Sequence, residues 1–195
     1  PMDGVAAVAF LDEGTAQGPP LVLLHGSPGS ADDFRRLAPA LAHNRRLITP
    51  DLPGFGASER EVPDYSARAH AGYVQNLLRK LGIDRYHVLG FSMGGAVALE
   101  LAERAPDEVL SVTLLASLGV EELELLGEHT LNHGLHGLQL GAIEVARWAL
   151  PHFGALDRGM LTRQYARNFF DTDQRRLRPL LETLRPPTLI LHGED

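Results

Sequence analysis

Short unbroken runs of apolar residues alternate along this chain with longer stretches in which apolar positions recur every three or four residues. The first kind predicts buried strands and the second amphipathic helices. Residues 5–10 read as a short strand ending at Asp12-Glu13-Gly14, and 21–24 as a fully apolar strand closed by His25-Gly26-Ser27-Pro28-Gly29-Ser30. Across 31–43, Phe34, Leu37, Ala38 and Leu41 share one helical face. A strand at 46–49 leads into the loop Asp51-Leu52-Pro53-Gly54-Phe55-Gly56-Ala57-Ser58. The spacing predicts a helix over 66–81, with Tyr73, Val74, Leu77, Leu78 and Leu81 inward and Gly82 at its exit. A strand at 86–89, a helix at 93–104 stopped by Pro106, a strand at 109–115 and a last strand at 188–191 complete the pattern.

Strands that are apolar along their whole length and alternate with helices predict a parallel sheet covered on both faces, an α/β fold. The alternation stops after the strand at 109–115, and helices without a strand fill the stretch to Arg185. That is too long for an ordinary connection, so it reads as an inserted helical lid. The expected organisation is a core over 1–117, a lid over 118–185 and a returning core strand over 186–195.

Composition narrows the function classes. The formal charge of -7 speaks against a nucleic-acid partner. With no cysteine, disulfides and thiolate metal sites are excluded. Neither a secretory signal nor an apolar run long enough to span a bilayer is visible, so a soluble cytoplasmic protein is expected.

The candidate chemistry sits at Gly90-Phe91-Ser92-Met93-Gly94, a G-x-S-x-G at the junction of a buried strand and a helix. A serine hydroxyl is a weak nucleophile unless it is held exposed and handed to a base. A sharp strand-to-helix turn lifts Ser92 out of the sheet, and glycines at 90 and 94 leave room for that turn. Ser92 is also expected at a helix N-terminus, where free N–H groups meet developing negative charge.

Four segments in register, His25-Gly26-Ser27-Pro28-Gly29, Asp51 to Gly56, Gly90 to Gly95 and Leu189-Ile190-Leu191-His192-Gly193-Glu194-Asp195, resemble the lidded branch of the α/β-hydrolase fold family. The resemblance implies an α/β-hydrolase fold with an inserted cap and a serine hydrolase acting on a small or medium carboxylic ester or related acyl compound. Ser92 would be the nucleophile, the backbone N–H groups of Ser27 and Met93 the oxyanion hole, and Phe91 and the lid residue Trp148 part of the pocket wall. Phe153, Phe169 and Phe170 would make that wall apolar. Carbon–carbon bond hydrolysis is the runner-up within the fold, followed by haloperoxidase-like activity. A non-catalytic ligand-binding member is the alternative of another class. An aspartate at position 92 would instead have implied a dehalogenase or an epoxide hydrolase.

The family's acid follows the penultimate strand in a Gly-x-x-Asp pattern, which counted from Gly193 falls on position 196, with Asp195 at an x position. Its histidine base follows one further strand. The chain is therefore expected to lack its last strand, last helix and triad histidine, to be nearly inert alone, and to attract a complementary fragment or a second copy at the 188–191 edge. Glu121 or Glu122 could replace the acid, and His25 is expected to hold the loop rather than act as base. His129, His133 and His136 at i, i+4, i+7 are expected to line the pocket rather than bind a metal, and His192 to sit within its strand. The carboxylate of Asp51 is expected to bond the N–H groups of its own turn. The arginines between 147 and 185 are expected on the solvated face of the lid helices. Neither glycine-rich loop fits a phosphate fingerprint, so no cofactor is expected.

Overall fold

The structure, a computed structural model, describes residues 6–15, 18–118, 129–149 and 162–193. Its strands are β1 (Phe10–Glu13), β2 (Leu21–Leu24), β3 (Leu47–Pro50), β4 (Tyr86–Phe91), β5 (Val109–Leu115) and β6 (Thr188–Leu191). They form one sheet in the order β1-β3-β2-β4-β5-β6. Only β1 runs antiparallel to its neighbour; the rest of the sheet is parallel.

The two-residue period of a strand explains why the central strands are apolar throughout. In β2, Val22 and Leu24 face one core, where they meet Ile48, Val88, Val112 and Leu114. Leu21 and Leu23 face the other, with Leu47 and Leu89. The first core is closed by α2 (Ala67–Lys80), α3 (Met93–Arg104) and α6 (Leu177–Glu182) through Val74, Leu78, Val97 and Leu177. The second is closed by Phe34 and by Ala38 of α1 (Ala38–Ala42). Each fully buried leucine or valine stabilises the fold by about 1.5–3 kcal/mol before entropy is counted.

Most expected elements appear where the pattern put them. Ser66 caps α2, its Oγ accepting from the Ala69 N–H at 3.2 Å, and Gly82 follows the helix at φ 68°. Three expectations fail. The first strand occupies 10–13 rather than 5–10, because the backbone of Ala7 and Ala9 bonds the 51–59 loop instead of a strand. The helix expected across 31–43 is broken into a 3-10 turn over Ala31–Phe34 and the short α1. Pro39 lies in the first turn of α1, where its missing N–H does no harm, and a longer helix would have needed that donor. His192 lies just past the end of β6 and is exposed, not inside the strand.

Between β5 and β6 the described residues hold α4 (His129–Ala149), α5 (Arg163–Asp171) and α6 and no strand. Gly134, Gly137 and Gly141 do not interrupt α4; Gly137 faces Phe170, where a Cβ would come within 3.4 Å of the ring. Arginines of this segment do more than cover a solvated face. Arg163 pairs with Glu61 and Glu144, Arg167 lies 5.1 Å over the Tyr65 ring and pairs with Asp171, and Arg176 reaches Glu100 and Glu103. Exposed ion pairs contribute little, so the firmer tie is the buried one. Asn168 donates to the Tyr65 carbonyl at 2.8 Å, and the Tyr65 N–H donates to Asp171 at 3.0 Å. Tyr65 is fully buried.

The far edge of the sheet is β6, with Leu189, Ile190 and Leu191 all exposed. Among the described residues no helix is long and apolar enough to cross a membrane.

Candidate active site

Strand β4 ends at Phe91 and α3 begins at Met93, which leaves Ser92 to make the whole turn. It does so at φ 51°, ψ -120°. A residue with a Cβ rarely adopts such a backbone, which stores on the order of 1–3 kcal/mol. Local packing forces it. A Cβ at Gly90 would strike the Gly94 carbonyl, and one at Gly94 would strike the Leu24 carbonyl of β2. Helix α3 therefore starts pressed against the sheet, with no room for a gradual exit. Gly94→Ala is expected to lower stability by about 3 kcal/mol or more, read as a shift of the urea midpoint. An unchanged midpoint would mean that the helix can slide outward.

Hydrogen bonds fix the turn from both sides. The Ser92 N–H donates to the Leu115 carbonyl at 3.1 Å, and the Ser92 carbonyl accepts from Gly95 at 3.0 Å and Leu118 at 3.2 Å. The 116–118 segment after β5 is thus part of the support, which the sequence reading missed. Its signal was the pair of small residues Ala116-Ser117. Ala116 takes φ 40°, and Ser117 occupies the space left by the absent Cβ of Gly95. Ser92 itself makes no side-chain capping bond and is partly exposed. Met93, buried at 1% exposure, opens α3, so its N–H is one of the donors a helix start leaves without an intrahelical partner.

The loop after β2 closes against this turn. Gly26 lies so near that a Cβ on it would stand 3.1 Å from the Ser92 Cβ. His25, fully buried, holds the loop with both ring nitrogens. Nδ1–H donates to the Gly26 carbonyl at 2.7 Å, which leaves Nε2 to accept from the Leu52 N–H at 2.9 Å. Burial pushes its pKa below the usual imidazole value, against the opposing pull of the Gly26 carbonyl, Asp33 and Asp51. A neutral ring with both nitrogens engaged has no lone pair for a proton from Ser92. Asp51 acts similarly at the next strand end: one carboxylate oxygen accepts from the Ala57 N–H of its own turn and the other from the Ala31 N–H, both at 2.7 Å. That second bond, 20 residues away in sequence, joins the two loops. Ser27 follows Gly26, its hydroxyl oxygen buried and without a hydrogen-bond partner among the described residues.

Gly26, the residue before Ser27, thus lies against both Ser92 and the Phe91 ring, and Met93 follows Ser92 at the start of α3. Trp148 stands 89% exposed on α4. Phe169 and Phe170 instead pack within the inserted segment, stacked on His136 and His133 at 5.3 and 4.0 Å between ring centroids. These histidines are taken up in helix packing, and no metal-holding group of side chains is present among the described residues. Expectations for Glu121, Glu122, Phe153 and Asp195, and for the side chain of His129, fall outside the described residues. A concavity of about 820 Å³ lies along α2 beside Arg68, Tyr73 and Arg104 and does not include Ser92.

The protein-family signature described as alpha/beta hydrolase fold matches residues 19–134, more than half of the chain. A haloalkane dehalogenase of Psychrobacter cryohalolentis is 30% identical over 168 residues, 83% of this chain and 52% of that protein. Lipase 1 of Psychrobacter immobilis is 38% identical over 114 residues, 57% of this chain and 36% of the lipase. The crystal structure of an alpha/beta hydrolase fold protein from Burkholderia ambifaria superposes with a TM-score of 0.73 at 25% identity. That superposition covers 97% of this chain and 77% of the other. The chain spans about a third to a half of the length of the curated relatives it matches.

Proposed function

Because this chain belongs to the α/β-hydrolase fold family, we propose that it carries the nucleophile and oxyanion hole of a serine hydrolase acting on carboxylic esters. The observation that supports this most is Ser92 held at φ 51° in a turn that its own side chain does nothing to stabilise. Strain kept without structural return is what a functional turn looks like.

In the proposed reaction Ser92 Oγ attacks the ester carbonyl carbon. The carbonyl π electrons move to oxygen, where the N–H groups of Ser27 and Met93 receive the oxyanion. Collapse expels the alcohol and leaves an acyl group on Ser92, and water then repeats the addition to release the acid. Residues 118–185 are proposed as a cap over this site. The proton from Ser92 needs a base, and His25 is engaged elsewhere. No described histidine is hydrogen-bonded to Ser92.

Serine also separates this reading from that of the dehalogenase relative. Displacement of halide by a serine would leave an alkyl ether, which has no carbonyl for water to attack, so the cycle would stall after one turnover. An acyl ester on Ser92 can be hydrolysed.

The test is a short p-nitrophenyl ester. We expect one equivalent of p-nitrophenol to be released per chain and the acyl group to be found on Ser92 by mass spectrometry. With no described histidine bonded to Ser92, steady turnover by this chain should not exceed about 10³–10⁴-fold over water, the residue left when a triad works without its base. Acylation elsewhere, or none at all, would end the proposal.

A further inference from the structure

The chain holds seven serines, all of them among the described residues. Five commit their hydroxyls to the fold. Ser30 accepts from the Asp32 N–H at 3.3 Å, Ser66 from the Ala69 N–H at 3.2 Å and Ser58 from the Ala9 N–H at 2.8 Å. Ser111 bonds the His87 ring at 2.7 Å, and Ser117 donates to the Leu118 carbonyl at 3.2 Å. The two hydroxyls with no hydrogen bond among the described residues are those of Ser27 and Ser92. The two residues are neighbours in space through Gly26, on which a Cβ would stand 3.1 Å from the Ser92 Cβ.

An attacking role accounts for the hydroxyl of Ser92 and leaves that of Ser27 without a use. A loop serine ordinarily bonds backbone a few residues away. The loop after β2 is already held by other groups. Pro28 has no N–H to offer. Ser30 caps the 3-10 turn, His25 takes the Gly26 carbonyl, and Asp51 takes the Ala31 N–H. The Ser27 Oγ is nevertheless buried. A buried hydroxyl without a partner opposes folding through its lost hydration. A bond made only to a ligand recovers that loss.

We propose that the Ser27 hydroxyl is a third oxyanion donor, so that one residue presents both its N–H and its O–H to the oxygen that becomes charged when Ser92 attacks. The inference rests on the acyl-transfer reading given above and deepens it. Covalent geometry supports the pairing. In two of the three staggered χ1 positions a serine Oγ lies about 3 Å from the nitrogen of its own residue, near enough for one acceptor to receive from both. The hydroxyl gives a hydrogen bond and keeps its proton, so the step requires no further base. An ester carbonyl is a weaker acceptor than the oxyanion it turns into. The bond therefore strengthens as charge develops, which lowers the barrier rather than tightening substrate binding.

Acylation kinetics of the chain with p-nitrophenyl acetate test this. Ser27→Ala keeps the N–H and removes only the O–H. It should slow the limiting rate of release of the single equivalent of p-nitrophenol by about 10²–10³-fold, the loss expected for one oxyanion donor. The ester concentration at half-saturation should stay unchanged, as it does when an interaction exists only in the transition state. The urea midpoint should stand at or above the parent's, because the hydroxyl removed bonds nothing in the fold. Ser27→Thr, which restores a hydroxyl on the same backbone, should return most of the lost rate. A parental rate in Ser27→Ala, a raised half-saturation concentration without a slower limiting rate, a rate loss joined to a lower urea midpoint, or Ser27→Thr as slow as Ser27→Ala would each overturn the proposal and leave acylation of Ser92 standing. A parent chain that is never acylated at Ser92 would instead remove the reading beneath it, and this inference with it.

Discussion

Ser92→Gly is expected to abolish acyl-enzyme formation and at the same time to make the protein more stable. Loss of the attacking hydroxyl should remove the acyl adduct and its equivalent of p-nitrophenol altogether. The same change removes the Cβ that makes φ 51° unfavourable, which is worth about 1–3 kcal/mol. Glycine's greater freedom in the unfolded chain takes back about 0.5–1 kcal/mol. No hydrogen bond is lost with the hydroxyl, because Ser92 makes no capping bond. The net expectation is a gain of about 1 kcal/mol in urea unfolding beside a dead enzyme. Ser92→Ala separates the two effects, since it should lose the activity and keep the strain. If Ser92→Gly lost stability together with activity, the turn would be held for structural reasons and the catalytic reading would lose its main support.

The second large effect is a loss of stability in acid that traces to His70. Its ring is fully buried between Phe55 and Tyr73, at 6.2 and 6.3 Å between centroids, and among the described residues neither nitrogen has a partner in good hydrogen-bond geometry, the Tyr65 backbone being the polar group nearby. Burial pushes its pKa down to about 3, with a smaller push from the nearby His25 ring and a small opposing pull from the Tyr65 backbone. In the unfolded chain the same imidazole titrates near its ordinary 6.5. Between those two values the unfolded state binds a proton that the folded state does not, so stability rises with pH across that window and is lost as the solution is acidified. The slope is about 1.4 kcal/mol per pH unit, or about 5 kcal/mol if followed from pH 6.5 down to 3. His70→Leu replaces a buried polar ring with an apolar side chain and should be close to neutral at pH 7. At pH 4.5 it should be about 3 kcal/mol more stable than the parent. Urea midpoints of both proteins at the two pH values decide this, and parallel curves would show that His70 carries no such load.

Why some elements were legible in the sequence and others were not follows from the range of the interactions that form them. Strands β2, β5 and β6 and helix α3 stand where a two-residue or 3.6-residue apolar period placed them, because burial on a sheet or helix face repeats with the local geometry. The same holds for the turn at Ser92: Gly90 and Gly94 announce a close approach wherever they stand, and a serine between them is the only side chain there able to attack a carbonyl. The fate of the first strand was not legible, because nothing local shows that Ala7 and Ala9 would find Ser58 and Glu59 as backbone partners.

Tertiary structure alone decided four things at the candidate site. It committed both nitrogens of His25 to the chain, joined Asp51 to Ala31, set Leu118 against the Ser92 carbonyl, and turned Trp148 toward solvent. Each depends on which segments meet after the chain has passed through the sheet, and no periodicity carries that information. The sequence by itself determined the α/β character and the position of the strained serine, since both follow from backbone space and local burial. What surrounds that serine was set by contacts between residues up to tens of positions apart, where the entropy of closing loops is offset only once the whole core has formed.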